Sequence, residues 1–170
     1  MSLILNLNDD EYPFDYISHT RIVVRGIVLN ENNKIGLCVV SRDDIFGNVD
    51  YLETPGGGKE ENESLIDGLI RELDEEIGYR CEVISELGIV NDYYNMIHRK
   101  NENHYYLCRV KEITNVHHVS KGDDYIKDII WLDIDEAIER YHNLNDYGLE
   151  KLVKNRELPI LYEAKKIMHL

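Results

Sequence analysis

The clearest hydrophobic pattern of the chain lies between Ser64 and Gly78. Apolar residues recur there at three- and four-residue intervals, which places them along one side of a helix. They are Leu65, Ile66, Leu69, Ile70, Leu73 and Ile77. Ser64 is a favourable N-cap with Asp67 three residues later, and Gly78 follows the last apolar position, where helices commonly end. The pattern predicts an amphipathic helix over 64–77.

The chain before this helix has the β-branched composition that favours strands. Residues 20–30, 35–42 and 49–53 are predicted strands, and a polar turn at 31–34 joins the first two as a hairpin. A glycine-rich loop over 54–62 then leads into the helix.

After the helix, apolar and polar positions alternate again. Three further strands are predicted: 80–90, 104–111 and 125–132. A polar loop separates the first two. A short helix over 133–141 starts with an Asp-x-x-Glu cap, and the tail 145–170 is helical, with Pro159 opening its last piece. This order of elements predicts an α/β fold with a mixed sheet, in which an acidic segment, 1–19, part loop and part edge strand, precedes a single domain, 20–170.

Charge narrows the range of functions. The chain of 170 residues has 33 acidic and 19 basic residues, for a formal net charge of −14. A field of that sign repels nucleic acids and anionic membranes, so neither is an expected partner, and a phosphate substrate would need a bound cation. Residues 1–15 lack the basic start of a secretory signal, and Cys38, Cys81 and Cys108 lack metal-site spacing, so we expect reduced core thiols in a cytoplasmic protein.

Acidic side chains are crowded on the flank of the predicted helix. Glu72, Glu75 and Glu76 lie three and four residues apart, so their carboxylates are neighbours on the helix surface. Two such charges about 4 Å apart repel by ~4 kcal/mol at an effective dielectric constant near 20. Arg71 is the neighbouring cation, and Mg²⁺ or Mn²⁺ would relieve the remaining repulsion. The glycines that follow Pro55 would let the backbone approach such an ion or a phosphate.

These residues together resemble the Nudix box, Gx5Ex7REUxEExGU, in which U is aliphatic. The matching positions are Gly57, Glu63, Arg71, Glu72, Glu75, Glu76 and Gly78. Tyr79 stands where an aliphatic residue is usual. With its flanks the resemblance spans about residues 20–140, and it implies a Nudix-type α/β/α sandwich with a mixed sheet.

The resemblance to MutT-like Nudix hydrolases implies an enzyme that hydrolyses a pyrophosphate bond in a nucleoside diphosphate linked to another moiety. The substrate would be a nucleoside triphosphate, a nucleotide sugar or a dinucleotide. Glu72, Glu75, Glu76 and the carbonyl of Gly56 would bind Mg²⁺ or Mn²⁺, Glu72 would also orient or deprotonate water, and Arg71 would orient the glutamates. The alternative is a nucleotide-binding or regulatory module of the same fold without turnover.

Residues outside the box are candidates for substrate contacts. Arg21 and Arg25 share one face of the first strand and could bind phosphates, with a surface role as the alternative for Arg21. Tyr94 could stack on a base, with packing at the strand end as the alternative. Four other cations are interpreted as ordinary loop residues: Arg42, Lys59, Arg99 and Lys100. The family often adds a late acidic ligand or base, for which the candidates here are Asp123, Asp124, Glu112 and Asp128. By analogy with the family, a homodimer is also an expectation.

Overall fold

The computed structural model describes residues 2–115 and 124–169. Within these residues the chain forms eight strands and three α-helices. The strands are β1 (Leu3–Asn6), β2 (His19–Leu29), β3 (Ile35–Asp44), β4 (Gly47–Glu53), β5 (Gly56–Gly58), β6 (Tyr79–Tyr94), β7 (Arg99–Ile113) and β8 (Ile126–Leu132). The helices are α1 (Leu65–Ile77), α2 (Ile134–His142) and α3 (Gly148–Met168).

The strands form one mixed sheet in the order β1-β6-β7-β2-β3-β4, with β5 paired to β2 and β8 paired to β3. β2 runs parallel to β7 along its whole length, whereas β6 and β7 are antiparallel. β1 is the edge strand and pairs in parallel with β6, so the acidic N-terminal segment contains the expected edge strand. The mixed sheet confirms the predicted fold class.

Helices cover both faces of this sheet. On β2, a side chain added at Gly26 would contact Leu73 of α1, whereas the side chain of Arg25 reaches Glu157 of α3 at 3.9 Å. Because consecutive residues of a strand point to opposite faces, α1 and α3 lie on opposite sides of the sheet. α2 packs against α3. The architecture is therefore the expected α/β/α sandwich, and no helix of the described residues is long and apolar enough to span a bilayer.

Helix α1 forms where the pattern predicts it. The Ser64 hydroxyl accepts a hydrogen bond from the Asp67 N–H at 3.0 Å, and Gly78 ends the helix in a left-handed conformation with φ of 72°. Leu69, Leu73 and four other residues of α1 are buried; the full buried set is Gly68, Leu69, Glu72, Leu73, Glu76 and Ile77. Ile66 was wrongly placed in the apolar stripe, because 38% of it remains exposed. The buried side of α1 thus carries two carboxylates into the protein.

The predicted polar loop between the strands at 80–90 and 104–111 is wrong. β6 continues to Tyr94 and β7 begins at Arg99, so a 3₁₀ turn over Asn95–Ile97 is the connection between them. The polar residues are buried rather than looped out, because the Asn101 and Asn103 amides donate hydrogen bonds to Asp92 Oδ1 at 3.1 and 2.9 Å. Hydrogen bonds between side chains of β6 and β7 therefore take the place of hydrogen bonds to water for these polar residues.

Two other sequence expectations need correction. The hairpin of β2 and β3 exists but pairs at two positions, Val28 with Gly36 and Leu29 with Ile35, because β5 pairs with β2 further along the same edge. Pro159 does not open a separate piece of helix, since it lies inside the continuous α3. Ile160 and Leu161, which follow it, are fully buried, and their packing stabilises the helix although Pro159 has no backbone N–H to donate.

The three cysteines are core residues, as expected. Cys38, Cys81 and Cys108 are buried and free of disulfide bonds. Burial raises the pKa of the Cys81 thiol to about 12, so this side chain packs as a neutral group.

Candidate active site

A cavity of about 480 Å³ opens between β5, α1 and the neighbouring ends of β2, β3, β4 and β7. Five carboxylates line the cavity: Glu53, Glu60, Glu72, Glu75 and Glu76. Arginines line much of the remaining wall: Arg21, Arg25, Arg42, Arg71 and Arg99. Aromatic rings complete the lining: Phe46, Tyr51, Tyr94 and Tyr125. The cavity therefore brings together an acidic region, a basic region and stacking surfaces.

The glycines of β5 let the carboxylates of α1 lie directly against the backbone. A Cβ atom added at Gly57 would lie 2.4 Å from Glu72 Oε2, and one at Gly56 would lie 2.1 Å from the Val24 carbonyl oxygen. Gly56 also has a φ of 146°, which residues with side chains rarely adopt. Its N–H donates to Glu76 Oε2 at 2.8 Å. Strand β5 is thus a cradle for these two carboxylates.

Arg71 links the acidic groups of the site. Its guanidinium donates to Glu63 at 2.6 and 3.1 Å, to Glu72 Oε1 at 2.9 Å and to Glu75 Oε2 at 3.4 Å. It also donates to the Gly58 carbonyl at 3.1 Å, which fixes it to β5. The hydrogen bonds to Glu63 raise the pKa of Arg71 further above its ordinary value, and in return they lower the pKa of Glu63. Arg71 therefore remains charged and holds Glu72 and Glu75 in place.

Glu76 is a buried carboxylate of the cavity. It is 6% exposed, and Cys38 Sγ lies 3.9 Å from its Oε2. Burial raises its pKa well above the ordinary range, and the hydrogen bond from Gly56 offsets only part of that rise. A cation placed beside Glu76 would favour the charged form.

The donor set of this cavity fits a hard divalent cation. Glu72, Glu75 and Glu76 supply carboxylate oxygens, which Mg²⁺ and Mn²⁺ prefer, and the cradle of β5 supplies backbone that can approach closely. In the conformation described for residues 2–115 and 124–169, no three acidic, histidine or cysteine side chains already converge on one point. Arg71 partly neutralises Glu72 and Glu75 instead.

The two sequence-predicted substrate residues line the cavity, and both have protein partners. Arg25 donates to the Thr54 carbonyl at 2.8 Å and pairs with Glu53 at 3.0 Å. Tyr94 is 7% exposed, and its hydroxyl accepts a hydrogen bond from Arg156 at 2.5 Å. These contacts fix both side chains in the cavity wall.

A buried polar network beneath the cavity was not found from the sequence. Glu157 of α3 is fully buried and accepts hydrogen bonds from the Thr54 hydroxyl at 2.6 Å and the Tyr141 hydroxyl at 2.5 Å. Arg156, 1% exposed, pairs with Glu53 at 2.7 Å. An Arg-Glu pair within a helical sequence normally indicates a solvated surface, and no local signal distinguishes this buried pair.

Two cations interpreted as ordinary loop residues belong to strands of the cavity wall. Arg42 of β3 lies 5.1 Å from the Phe46 ring centroid and 4.7 Å from that of Tyr125. Arg99, at the start of β7, lies over the Tyr94 ring at 5.6 Å. The strand alternation that places Arg21 and Arg25 on one face could have identified Arg99, had the extent of β7 been known.

The candidates for a late acidic ligand do not line the cavity in the described part of the chain. Glu112, Asp124 and Asp128 are exposed, and Asp123 lies outside the described residues. Asp124 immediately precedes Tyr125, which does line the cavity.

The chain is similar to known proteins. The family model described as the NUDIX domain matches residues 19–152. Nudix hydrolase 5 of Arabidopsis thaliana is 26% identical over 136 residues, which are 79% of this chain and 44% of the relative. Nudix hydrolase 6 of the same plant is 27% identical over 123 residues, which are 72% of this chain and 42% of the relative. The chain thus spans less than half the length of these two relatives.

A solved structure has the same fold. The NUDIX hydrolase from Nitrosomonas europaea superposes with a TM-score of 0.64 at 20% identity, covering 87% of this chain and 91% of that one. The glycine cradle, the Arg71 contacts and the carboxylates of α1 all fall within the range that the family model matches. The chain therefore belongs to the NUDIX domain family.

Proposed function

We propose that this protein hydrolyses a pyrophosphate bond in a nucleoside diphosphate linked to another moiety, with Mg²⁺ or Mn²⁺ as cofactor. The observation that carries the proposal is the placement of Glu72 and Glu76 against the glycine cradle of β5, inside a cavity that also presents arginines. Carboxylates and guanidinium groups that face one cavity suit a substrate whose phosphates are bound through a cation and directly.

The cofactor would be held by Glu72, Glu75, Glu76 and the carbonyl of Gly56. When bound, the cation supplies charge neutralisation of the diphosphate and acidifies water. Other groups of the chain position these carboxylates: Arg71 holds Glu72 and Glu75, and the Gly56 N–H holds Glu76. These contacts would keep the carboxylates oriented before substrate arrives.

The reaction is a displacement at phosphorus. The oxygen of a water molecule attacks one phosphorus atom, and the bond from that phosphorus to the bridging oxygen breaks. In our proposal Glu72 orients the water and accepts its proton, and its contacts with Arg71 and the backbone of β5 fix the direction of its carboxylate. The bridging oxygen leaves with the second phosphate, so the products are two phosphate compounds.

The relatives support this proposal. Both Arabidopsis proteins are named as hydrolases, and the NUDIX domain match of this chain, residues 19–152, contains the cavity residues described above. The identity of 26% to 27% leaves the substrate within the nucleotide class to be decided by experiment.

A substrate panel tests the proposal. The protein would be incubated with a nucleoside triphosphate, a nucleotide sugar and a dinucleoside diphosphate in Mg²⁺ buffer, and the products identified by chromatography. We expect hydrolysis of at least one class, abolished by a chelator and restored by added Mg²⁺. Nucleotide binding without hydrolysis of any class would overturn the proposal and support the non-catalytic module instead.

A further inference from the structure

The cavity contains two arginines that form no ion pair with its acidic groups. Among the described residues, the guanidinium groups of Arg21 and Arg99 make no hydrogen bond and no ion pair, and the buried Nε of Arg99 has no acceptor. The other arginines of the cavity have carboxylate partners: Arg25 with Glu53, Arg42 with Asp44 and Arg71 with Glu63. A polar atom buried without a partner indicates a missing ligand or water.

The sheet places these two arginines side by side. β2 and β7 are parallel neighbours, with His19 opposite Arg99 and Arg21 opposite Asn101. Arg21 and Arg99 are therefore diagonal neighbours on one face, the face that lines the cavity. Burial lowers the pKa of Arg99, and the positive charge of Arg21 lowers it further. Two like charges held together in this way favour an anion between them.

The buried Asp92, whose charge acts on Arg99, is already engaged by other groups. Asp92 Oδ1 accepts hydrogen bonds from the Asn101 and Asn103 amides, and Oδ2 lies 3.7 Å from Arg156. Within the described chain Asp92 forms no ion pair with Arg99. The anion that the arginine pair favours must therefore come from outside these residues.

Arg21 also connects this pair to the proposed metal end of the cavity. A Cβ atom at Gly58 would lie 2.7 Å from Arg21 Nε, so the guanidinium lies against β5. β7, β2 and β5 are consecutive neighbours, which places Arg21 between Arg99 and the glycine cradle that holds Glu72. A phosphate chain extending away from the glutamates would meet Arg21 and Arg99.

We propose that Arg21 and Arg99 form a second anion site, which binds a terminal phosphate of the substrate beyond the scissile bond. A terminal phosphate carries between one and two negative charges at neutral pH and has three acceptor oxygens, which suit two guanidinium groups. A diphosphate capped by organic groups at both ends has no such group. Resting on the proposed function, this inference selects nucleoside triphosphates over nucleotide sugars and dinucleoside diphosphates.

Kinetics with two matched substrates test the site. Adenosine triphosphate and P1,P2-di(adenosine-5′) diphosphate share the same base, and only the first has a free terminal phosphate. We expect Arg99→Gln and Arg21→Gln each to raise the KM for the triphosphate about tenfold, since a charge-assisted hydrogen bond to phosphate is lost. The KM for the capped diphosphate should change less than about twofold. Lysine at either position should recover part of the loss, because it restores the charge without the forked geometry.

The chain offers a matched control. Lys100 is the next residue on β7 and points to the opposite face, where its Nζ lies 6.0 Å from the Tyr93 ring centroid. Lys100→Gln removes the same charge from the same strand and should leave both KM values unchanged. Thermal melting of every variant shows whether a kinetic change comes from unfolding.

A binding measurement separates this inference from the proposed function. Calorimetric titration of adenosine triphosphate without divalent cation measures binding by the cavity without the metal, and both glutamine variants should bind it more weakly than Lys100→Gln. Equal effects of Arg99→Gln on both substrates, wild-type preference for the capped diphosphate, or unchanged calorimetric affinity would overturn the second anion site. Absence of any hydrolysis would instead overturn the proposed function and leave the calorimetric result to judge the site.

Discussion

The position of Glu72 in the candidate site depends on a residue without a side chain. Glu72 reaches its position because Gly57 has no Cβ atom, which would otherwise lie 2.4 Å from the Glu72 carboxylate. A Cβ atom at Gly57 would displace only the carboxylate end of the flexible Glu72 side chain. The fold can tolerate that displacement, but Glu72 would leave its position in the site. Stability and activity should therefore respond differently to substitution at Gly57.

We predict that Gly57→Ala lowers kcat about tenfold or more, because the carboxylate of Glu72 must move from the backbone of β5. The free energy of unfolding should fall by less than about 1.5 kcal/mol, since the pairing of β5 with β2 remains. Steady-state kinetics and urea unfolding measure the two quantities. Loss of stability with unchanged kcat would contradict the placement of Glu72.

Glu76→Gln should keep the fold and remove Mg²⁺-dependent turnover, by about 100-fold or more. The amide oxygen can still accept the Gly56 N–H, but the charge that would hold the cation is lost. Glu61→Gln is the matched control, because Glu61 is exposed in the preceding loop and does not line the cavity. Turnover of Glu76→Gln at the wild-type rate would refute the role given to this residue.

Among the secondary structure elements, those with local sequence signals were predicted correctly. Features that depend on pairing between strands distant in sequence were not. Helix α1 was predictable because its cap, its apolar stripe and its terminal Gly78 all lie within fifteen residues of sequence. The polar ends of β6 and β7 were not, because Asp92 becomes buried only through amides from the partner strand. For the same reason the sequence indicated an ordinary loop cation at Arg99, since its place in the cavity depends on the full length of β7.

Helix α3 shows packing that overrides a local rule. Pro159 has no N–H to donate within the helix, yet the helix continues because Ile160 and Leu161 after it are completely buried. Pro159→Ala should raise the free energy of unfolding by about 1 to 2 kcal/mol, because alanine restores a helical hydrogen bond. The unfolded chain also becomes more flexible without the proline ring, but that opposing effect is smaller. Urea unfolding measures this change, with the exposed Lys166→Ala of the same helix as control. A destabilised Pro159→Ala protein would show that the helix depends on the proline ring.

At the scale of the whole molecule, acid stability should depend on the network that joins α3 to the sheet. Burial alone would raise the pKa of Glu53, but Arg25 and Arg156 on either side hold it below its ordinary value. A carboxylate with a lowered folded-state pKa stabilises the fold above its unfolded pKa, and that stabilisation is lost as the pH falls through the folded pKa. The protein should therefore lose this contribution below about pH 4.5.

Glu53→Gln tests this dependence. We expect the variant to be less stable than the wild type by about 1 to 3 kcal/mol at pH 7, because two guanidinium groups lose their shared partner. The difference should shrink as the pH falls below about 4.5, measured by urea unfolding across pH. The exposed Glu86→Gln on β6 should stay within about 0.5 kcal/mol of the wild type at pH 7. A constant difference from pH 7 to pH 3 would contradict the role of Glu53.

The proposed hydrolysis requires water to attack phosphorus within a diphosphate. Hydrolysis of the best substrate in ¹⁸O-labelled water, with each product analysed by mass spectrometry and ³¹P nuclear magnetic resonance, locates the bond that breaks. We predict one ¹⁸O atom bonded to phosphorus in a single product, formed in the presence of Mg²⁺ and absent with Glu76→Gln. Label bonded to carbon, or equal incorporation by Glu76→Gln, would contradict it.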